Sequence, residues 1–165
     1  MPVDQYAYFA LSSYETSAAE MTAVLGLEPD EKVIRGSHTL EPNALPTTHR
    51  WKVVCRKPGL SVDEQIARVV ERLTPHADAI AALARRLDAE GPQGPSAVLQ
   101  VVRCFSTGSD QQDQPRSTDA TTDPPNLFGW HLGRDTLDFL HATGAVLDVD
   151  EYDLTRNYPD DRSAR

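Results

Sequence analysis

The sequence predicts an α+β fold, a ferredoxin-like antiparallel sheet with helices mainly on one face, extended by a C-terminal β-α-β unit. Three observations predict it. Short runs with period-two alternation are interleaved with runs of near 3.6 periodicity, so strands and helices alternate along one chain. Two capping boxes, Ser17–Glu20 and Ser61–Glu64, mark helix starts, and Gly26 and Gly144 mark helix ends. The segment from Gly129 to Tyr152 then reads as strand, helix and strand: Phe128, Trp130 and Leu132 alternate, Leu137 and Leu140 follow at helical spacing, and Leu147 and Val149 alternate with Asp148, Asp150 and Tyr152.

The elements follow in order. Tyr6 to Leu11 is a strand with Ala7, Phe9 and Leu11 on one face and Tyr6, Tyr8 and Ala10 on the other. The first helix buries Met21, Val24 and Leu25, and Pro29 blocks its continuation. Lys32 to Gly36 is a short strand, and Leu40 to Thr48, carrying Pro42 and Pro46, is a loop. Arg50 to Lys57 is a strand that sends Trp51, Val53 and Cys55 one way and Lys52, Val54 and Arg56 the other; Pro58-Gly59 ends it. Val62, Ile66, Val69, Val70 and Leu73 stand at helical spacing. Thr74-Pro75 interrupts them, because proline lacks an amide donor, and a restart with Thr74 as cap is expected. The restarted helix buries Ile80, Leu83, Ala84 and Leu87 and stops at Gly91-Pro92. Ala97 to Phe105 is the next strand.

Residues 1–156 read as a single domain. Residues 106–125 turn to Ser, Thr, Asp, Gln and Pro without bulky apolar side chains, so a mobile insert is expected, and 157–165 reads as a disordered polar tail. The expected core is Phe9, Leu11, Met21, Leu25, Trp51, Val53, Ile66, Val70, Leu73, Leu83, Leu137, Leu140, Leu147 and Val149. The strand–cap–helix–Gly pattern around Gly26 returns around Gly144, an internal echo rather than a demonstrated repeat.

Composition bounds function more than it assigns it. The net charge of −9 disfavours binding to phosphate backbones and suits solubility or a basic protein partner. Cys55 and Cys104 lack a ligand-spaced partner and read as buried free thiols. The first residues have no basic n-region and nothing approaches a membrane span, so a cytoplasmic protein is expected.

YFALSS, the helix closing on LGLEPDE, Gly36, Trp51, the LTPHADAIAALA helix pair and the ending LHATGAVLDVDEY run in order over nearly the whole chain outside the polar insert and tail. In these motifs the chain resembles the bacterial family known as domain of unknown function 4279. Members carry a Ser before the last helix where this chain has Gly133. The resemblance implies a bacterial soluble α+β domain and supplies no activity, cofactor or catalytic residue.

Several residue groups are candidate sites. Asp148 and Asp150 put paired carboxylates on one strand face, suited to a hard cation or a shared proton; a solvated strand face is the plainer reading. His131 and His49 could serve as bases, yet no nucleophile stands at a telling distance and no GxSxG, HExxH or Walker pattern is present. Tyr6 and Tyr8, sharing a face with Lys52 and Arg56, resemble a base-stacking platform that the acidic balance opposes. The expected interaction surface is Tyr6, Tyr8, Lys52, Arg56, His131, Asp148, Asp150 and Tyr152. The leading expectation is a non-catalytic module that covers a basic protein partner, in the manner of an immunity or regulatory protein, or forms a homodimer, with no cofactor, metal, nucleic acid or membrane. The alternative is a small-ligand-binding protein or enzyme using His131 with Asp148 or Asp150.

Overall fold

The computed structural model describes residues 3–37, 45–91, 94–106 and 129–154. The expected loop at 40–48 is described only from residue 45, and most of the polar insert and the whole tail lie outside these residues. Among the described residues the strands are β1 (Val3–Ser13), β2 (Glu31–Val33), β3 (His49–Cys55), β4 (Ala97–Ser106) and β5 (Val146–Leu154). The helices are α1 (Ala18–Leu25), α2 (Val62–Leu73), α3 (Ala77–Asp88) and α4 (Arg134–Thr143). One sheet of order β2-β3-β1-β4-β5 contains all five strands. Its first four strands are antiparallel, which is the ferredoxin-like arrangement, and β5 lies parallel to β4. The fold is α+β with a mixed sheet.

Local chemistry explains the helices. Both capping boxes form: Ser17 Oγ accepts from Glu20 N–H, Ser61 Oγ accepts from Glu64 N–H, and each Glu carboxylate accepts from its Ser backbone N–H. Those hydrogen bonds hold the carboxyls of Glu20 and Glu64 below the usual range. Gly26 and Gly144 end α1 and α4 with φ of 62° and 69°, a conformation that a Cβ disfavours. Gly133, in the position where a serine would cap α4, makes no side-chain cap.

The sheet is buried on one side. Ala7, Phe9 and Leu11 of β1, Trp51 and Val53 of β3, and Leu99 and Val101 of β4 meet Met21, Ile66, Leu73, Ile80 and Leu87 of the helices. Trp51 is fully buried, and its indole Nε1–H donates to Thr22 Oγ1 at 3.2 Å, so neither its area nor its polar atom is left unmatched.

The structure corrects several expectations. The expected strand around Trp130 is not formed in the described residues: 129–133 are irregular, and Phe128 lies outside the described residues. Trp130 and Leu132 still pack partly against the core, so a three-position alternation marked an extended segment laid on other elements. The C-terminal unit therefore uses β4 as its first strand. Leu137 is 50% exposed, because α4 buries Thr136, Phe139 and Thr143 instead, with Phe139 edge-on to Phe9 at 5.6 Å. Val149 is 38% exposed, because β5 is an edge strand. Val24 is exposed, the stripe of α1 being Ala18, Met21 and Leu25. Thr74 does not start the next helix: it is the C-cap of α2, opens a 3-10 turn at Thr74–His76, and its hydroxyl donates back to Val70 O at 2.8 Å, while His76 holds the N-cap position of α3. The short second strand is Glu31–Val33 rather than Lys32 to Gly36. Cys55 and Cys104 are free as expected but half-buried.

This packing can be tested at two residues. Trp51→Ala should destabilise the fold by about 3–5 kcal/mol, the range for deleting a buried aromatic. Urea unfolding that loses much less would place the tryptophan outside the core. The second residue is Glu90, whose carboxylate accepts from the hydroxyls of Ser13 and Thr16, tying the end of α3 to the turn after β1. Burial pushes the Glu90 carboxyl up, but the Ser13 and Thr16 hydrogen bonds outweigh it and leave the pKa below the usual 4.5. A carboxyl with a lowered folded pKa contributes stability that is complete above its unfolded value and is lost as pH falls through the folded one. Glu90→Gln should therefore lower stability at neutral pH and flatten its decline below pH 4.5. An unchanged acid limb in the variant would remove the assignment.

Candidate functional site

The sheet face away from the helices gathers most of the expected surface residues. Strand register sets them in rows across the sheet. Tyr6 is opposite Val102, which is opposite Asp150; Tyr8 stands between Val54 and Gln100, and Gln100 is opposite Asp148. Tyr6 and Tyr8 stack with centroids 6.1 Å apart. Arg56 lies over the Tyr6 ring at 4.4 Å and Lys52 over the Tyr8 ring at 4.5 Å. Both cations also contact the Glu31 carboxylate of β2, Lys52 at 3.7 Å. Across the sheet, Gln100 Nε2–H donates to Asp150 Oδ2 at 3.0 Å, and the Tyr152 hydroxyl donates to the same oxygen at 3.4 Å. Cations therefore flank the tyrosines on the β3 side, and carboxylates line the β5 side.

Electrostatics on this face follow burial and neighbours. Burial raises the Tyr8 phenol above 10.0, opposed by Arg50 and reinforced by Tyr6, Asp150 and Asp148. The Asp150 carboxylate raises Tyr152, with smaller help from burial and their hydrogen bond. Burial lowers Lys52, against the pull of Glu31.

His131 is not on this face. It is exposed beside α2, with Nδ1 3.3 Å from Asp63 Oδ2, whereas Asp148 and Asp150 project from the other side of the sheet. The pairing of His131 with either aspartate is thus not made. His49 Nδ1 accepts from Arg35 N–H at 3.1 Å.

The helix side carries a groove that the sequence reading missed. It runs between α2 and α4, encloses about 1110 Å³, and has Ala67, Val70, Ala77, Phe139 and Ala142 along its floor and walls. Asp63, Glu64, Glu71, Asp135 and Asp138 line it, against Arg134 and His131. Its signal was available as the acidic positions of the two helices, but their adjacency was not. A smaller cavity of about 290 Å³ lies where β1 meets the start of α2, beside Gln5, Leu60 and Gln65. The amide nitrogens of both glutamines donate to Leu60 O, and that of Gln65 also to Gln5 O. Their buried Oε1 atoms have no partner among the described residues.

Residues 4–154 match the family model described as Domain of unknown function (DUF4279). The chain belongs to this family. No curated protein and no solved structure matches it. Membership in the DUF4279 family is thus a statement about the domain and carries no reaction. Among the described residues no helix is long and apolar enough to cross a membrane, and no group of three or more His, Cys, Asp or Glu side chains is placed to hold a metal ion.

The tyrosine assignments are open to measurement. With ring-labelled tyrosine followed by NMR, Tyr8 and Tyr152 should both ionise above 10.0. Asp150→Asn should bring Tyr152 down more than Tyr8, because the aspartate dominates only at Tyr152. Equal movement of the two phenols would contradict the distinction.

Proposed function

We propose that this protein is a non-catalytic, protein-binding module of the bacterial cytoplasm that receives a basic amphipathic segment of a partner in the groove between α2 and α4. The observation that carries the reading is the chemistry of that groove: an apolar floor from Val70 and Phe139 with five carboxylates around it. Helical partners that dock in grooves bring an apolar stripe for the floor and polar residues for the rim. Here the rim charge selects Lys and Arg, and the net charge of −9 steers such a partner toward the protein. The unbridged thiols Cys55 and Cys104 suit a reducing compartment, and the bacterial setting rests on the family resemblance. An immunity-like or regulatory role, in which the module covers a basic surface of its partner, agrees with this chemistry.

A second reading, a small-ligand-binding protein, is favoured by the unpartnered Gln5 and Gln65 carbonyl oxygens beside the smaller cavity. A ligand with hydrogen-bond donors would match them.

A fluorescent Lys/Leu amphipathic peptide and its Glu/Leu counterpart test the leading reading by anisotropy. The Lys/Leu peptide should bind, weaken with added salt, and lose about tenfold or more in affinity with Glu71→Lys plus Asp138→Lys, at 1.4 kcal/mol per factor of ten. Equal binding of the Glu/Leu peptide, or binding unaffected by the double variant, would overturn it.

A further inference from the structure

The helix-free sheet face lies on the opposite side of the molecule from the groove. Among the described residues it carries aromatic bodies and charges of both signs with no helix above it. Tyr6, Tyr8, Lys52 and Val54 are half-buried there, Ala10, Gln100 and Val102 are buried, and Tyr152 is 49% exposed. The distribution of those side chains has a definite order. Arg56, just past the end of β3, lies over Tyr6, and Tyr6, Val102 and Asp150 stand in one row, so a cation, an aromatic ring, an aliphatic side chain and a carboxylate follow one another toward β5. In the row two residues further along the chain of β1, Tyr8 is followed by Gln100 on β4, and in the next Ala10 is followed by Val98.

We propose that this face is a self-complementary interface covered by a second copy of the chain, related by a two-fold axis that runs along the strands between β1 and β4. A two-fold so placed exchanges β1 with β4 and β3 with β5 across the interface. Arg56 then meets the second copy's Asp150, Tyr6 lies over its Val102 and Tyr8 over its Gln100. Every contact occurs twice, as a two-fold interface requires. Two sheets stacked in this way lie about 10 Å apart with their strands within about 30° of each other. The ring faces of Tyr6 and Tyr8 already hold Arg56 and Lys52 in place, so side chains on the β3 side are ordered before contact. On this face Arg50, Lys52 and Arg56 stand against Asp4, Glu31, Asp148 and Asp150, a surplus of one carboxylate per copy, far below the net charge of −9 of the whole chain.

The pairing of Arg56 with Asp150 makes a charge-reversal test decisive. The full chain should sediment as a dimer. Arg56→Asp sets a carboxylate against that of Asp150 twice in each homodimer, and Asp150→Arg sets two guanidinium groups together twice; each variant alone should sediment as a monomer. Mixed in equal amounts, the two variants should form a heterodimer, since one then offers only carboxylates and the other only guanidinium groups at these positions. The doubly reversed chain should dimerise again. Rescue on mixing cannot come from misfolded chains, so it separates loss of contact from loss of fold. A monomeric parent chain, single variants that remain dimers, or monomeric variants that fail to associate on mixing would each overturn the proposal.

Discussion

Phe9 at the centre of β1 sets the terms for the rest of the molecule. It is fully buried, stands between Val53 and Leu99 in the sheet, and meets Phe139 of the last helix edge-on. Because a strand alternates strictly, burying Phe9 with Ala7 and Leu11 sends Tyr6, Tyr8 and Ala10 to the other side. All four helices then gather over the Phe9 side, where the apolar stripes of α2 and α3 close the core. Among the described residues no helix covers the opposite side, and its tyrosines and charges are consequences of the same register.

The two surfaces differ in how they are charged. The helix layer concentrates carboxylates along neighbouring faces of α2 and α4, and the spaces between them have an apolar floor. The sheet face separates its charges by strand, cations on β3 and carboxylates on β5, with aromatic and aliphatic side chains between. The proposed basic segment and the proposed second copy would thus meet different surfaces. The exposed ion pairs on either surface contribute little to folding, roughly 0–1 kcal/mol each.

Element types and helix ends were legible because their causes are local. Each capping box needs only a Ser and a Glu three residues later, and the ends at Gly26 and Gly144 need only a residue that tolerates positive φ. The alternation of β1 and β3 likewise placed Trp51 and Phe9 inside and Tyr8 and Lys52 outside. Leu137 and Val149 were misread for one reason. Both look like core by residue type, but an α4 anchored through Phe139 turns Leu137 outward, and the last strand of a sheet has a neighbour on one side only.

By itself, then, the sequence determined β1, β3, β4 and β5, the helices, the two capping boxes, the glycine ends and the sidedness of β1 and β3, since each depends on residues a few positions apart. It also determined the family, through motifs spread in order over residues 4–154. Tertiary structure alone decided that β5 joins the sheet parallel to β4, that α4 lies along α2, and that His131 faces Asp63 instead of Asp148 or Asp150. Those are contacts between residues far apart in the chain. They depend on which packed arrangement fills the core, and no local period or spacing encodes that choice.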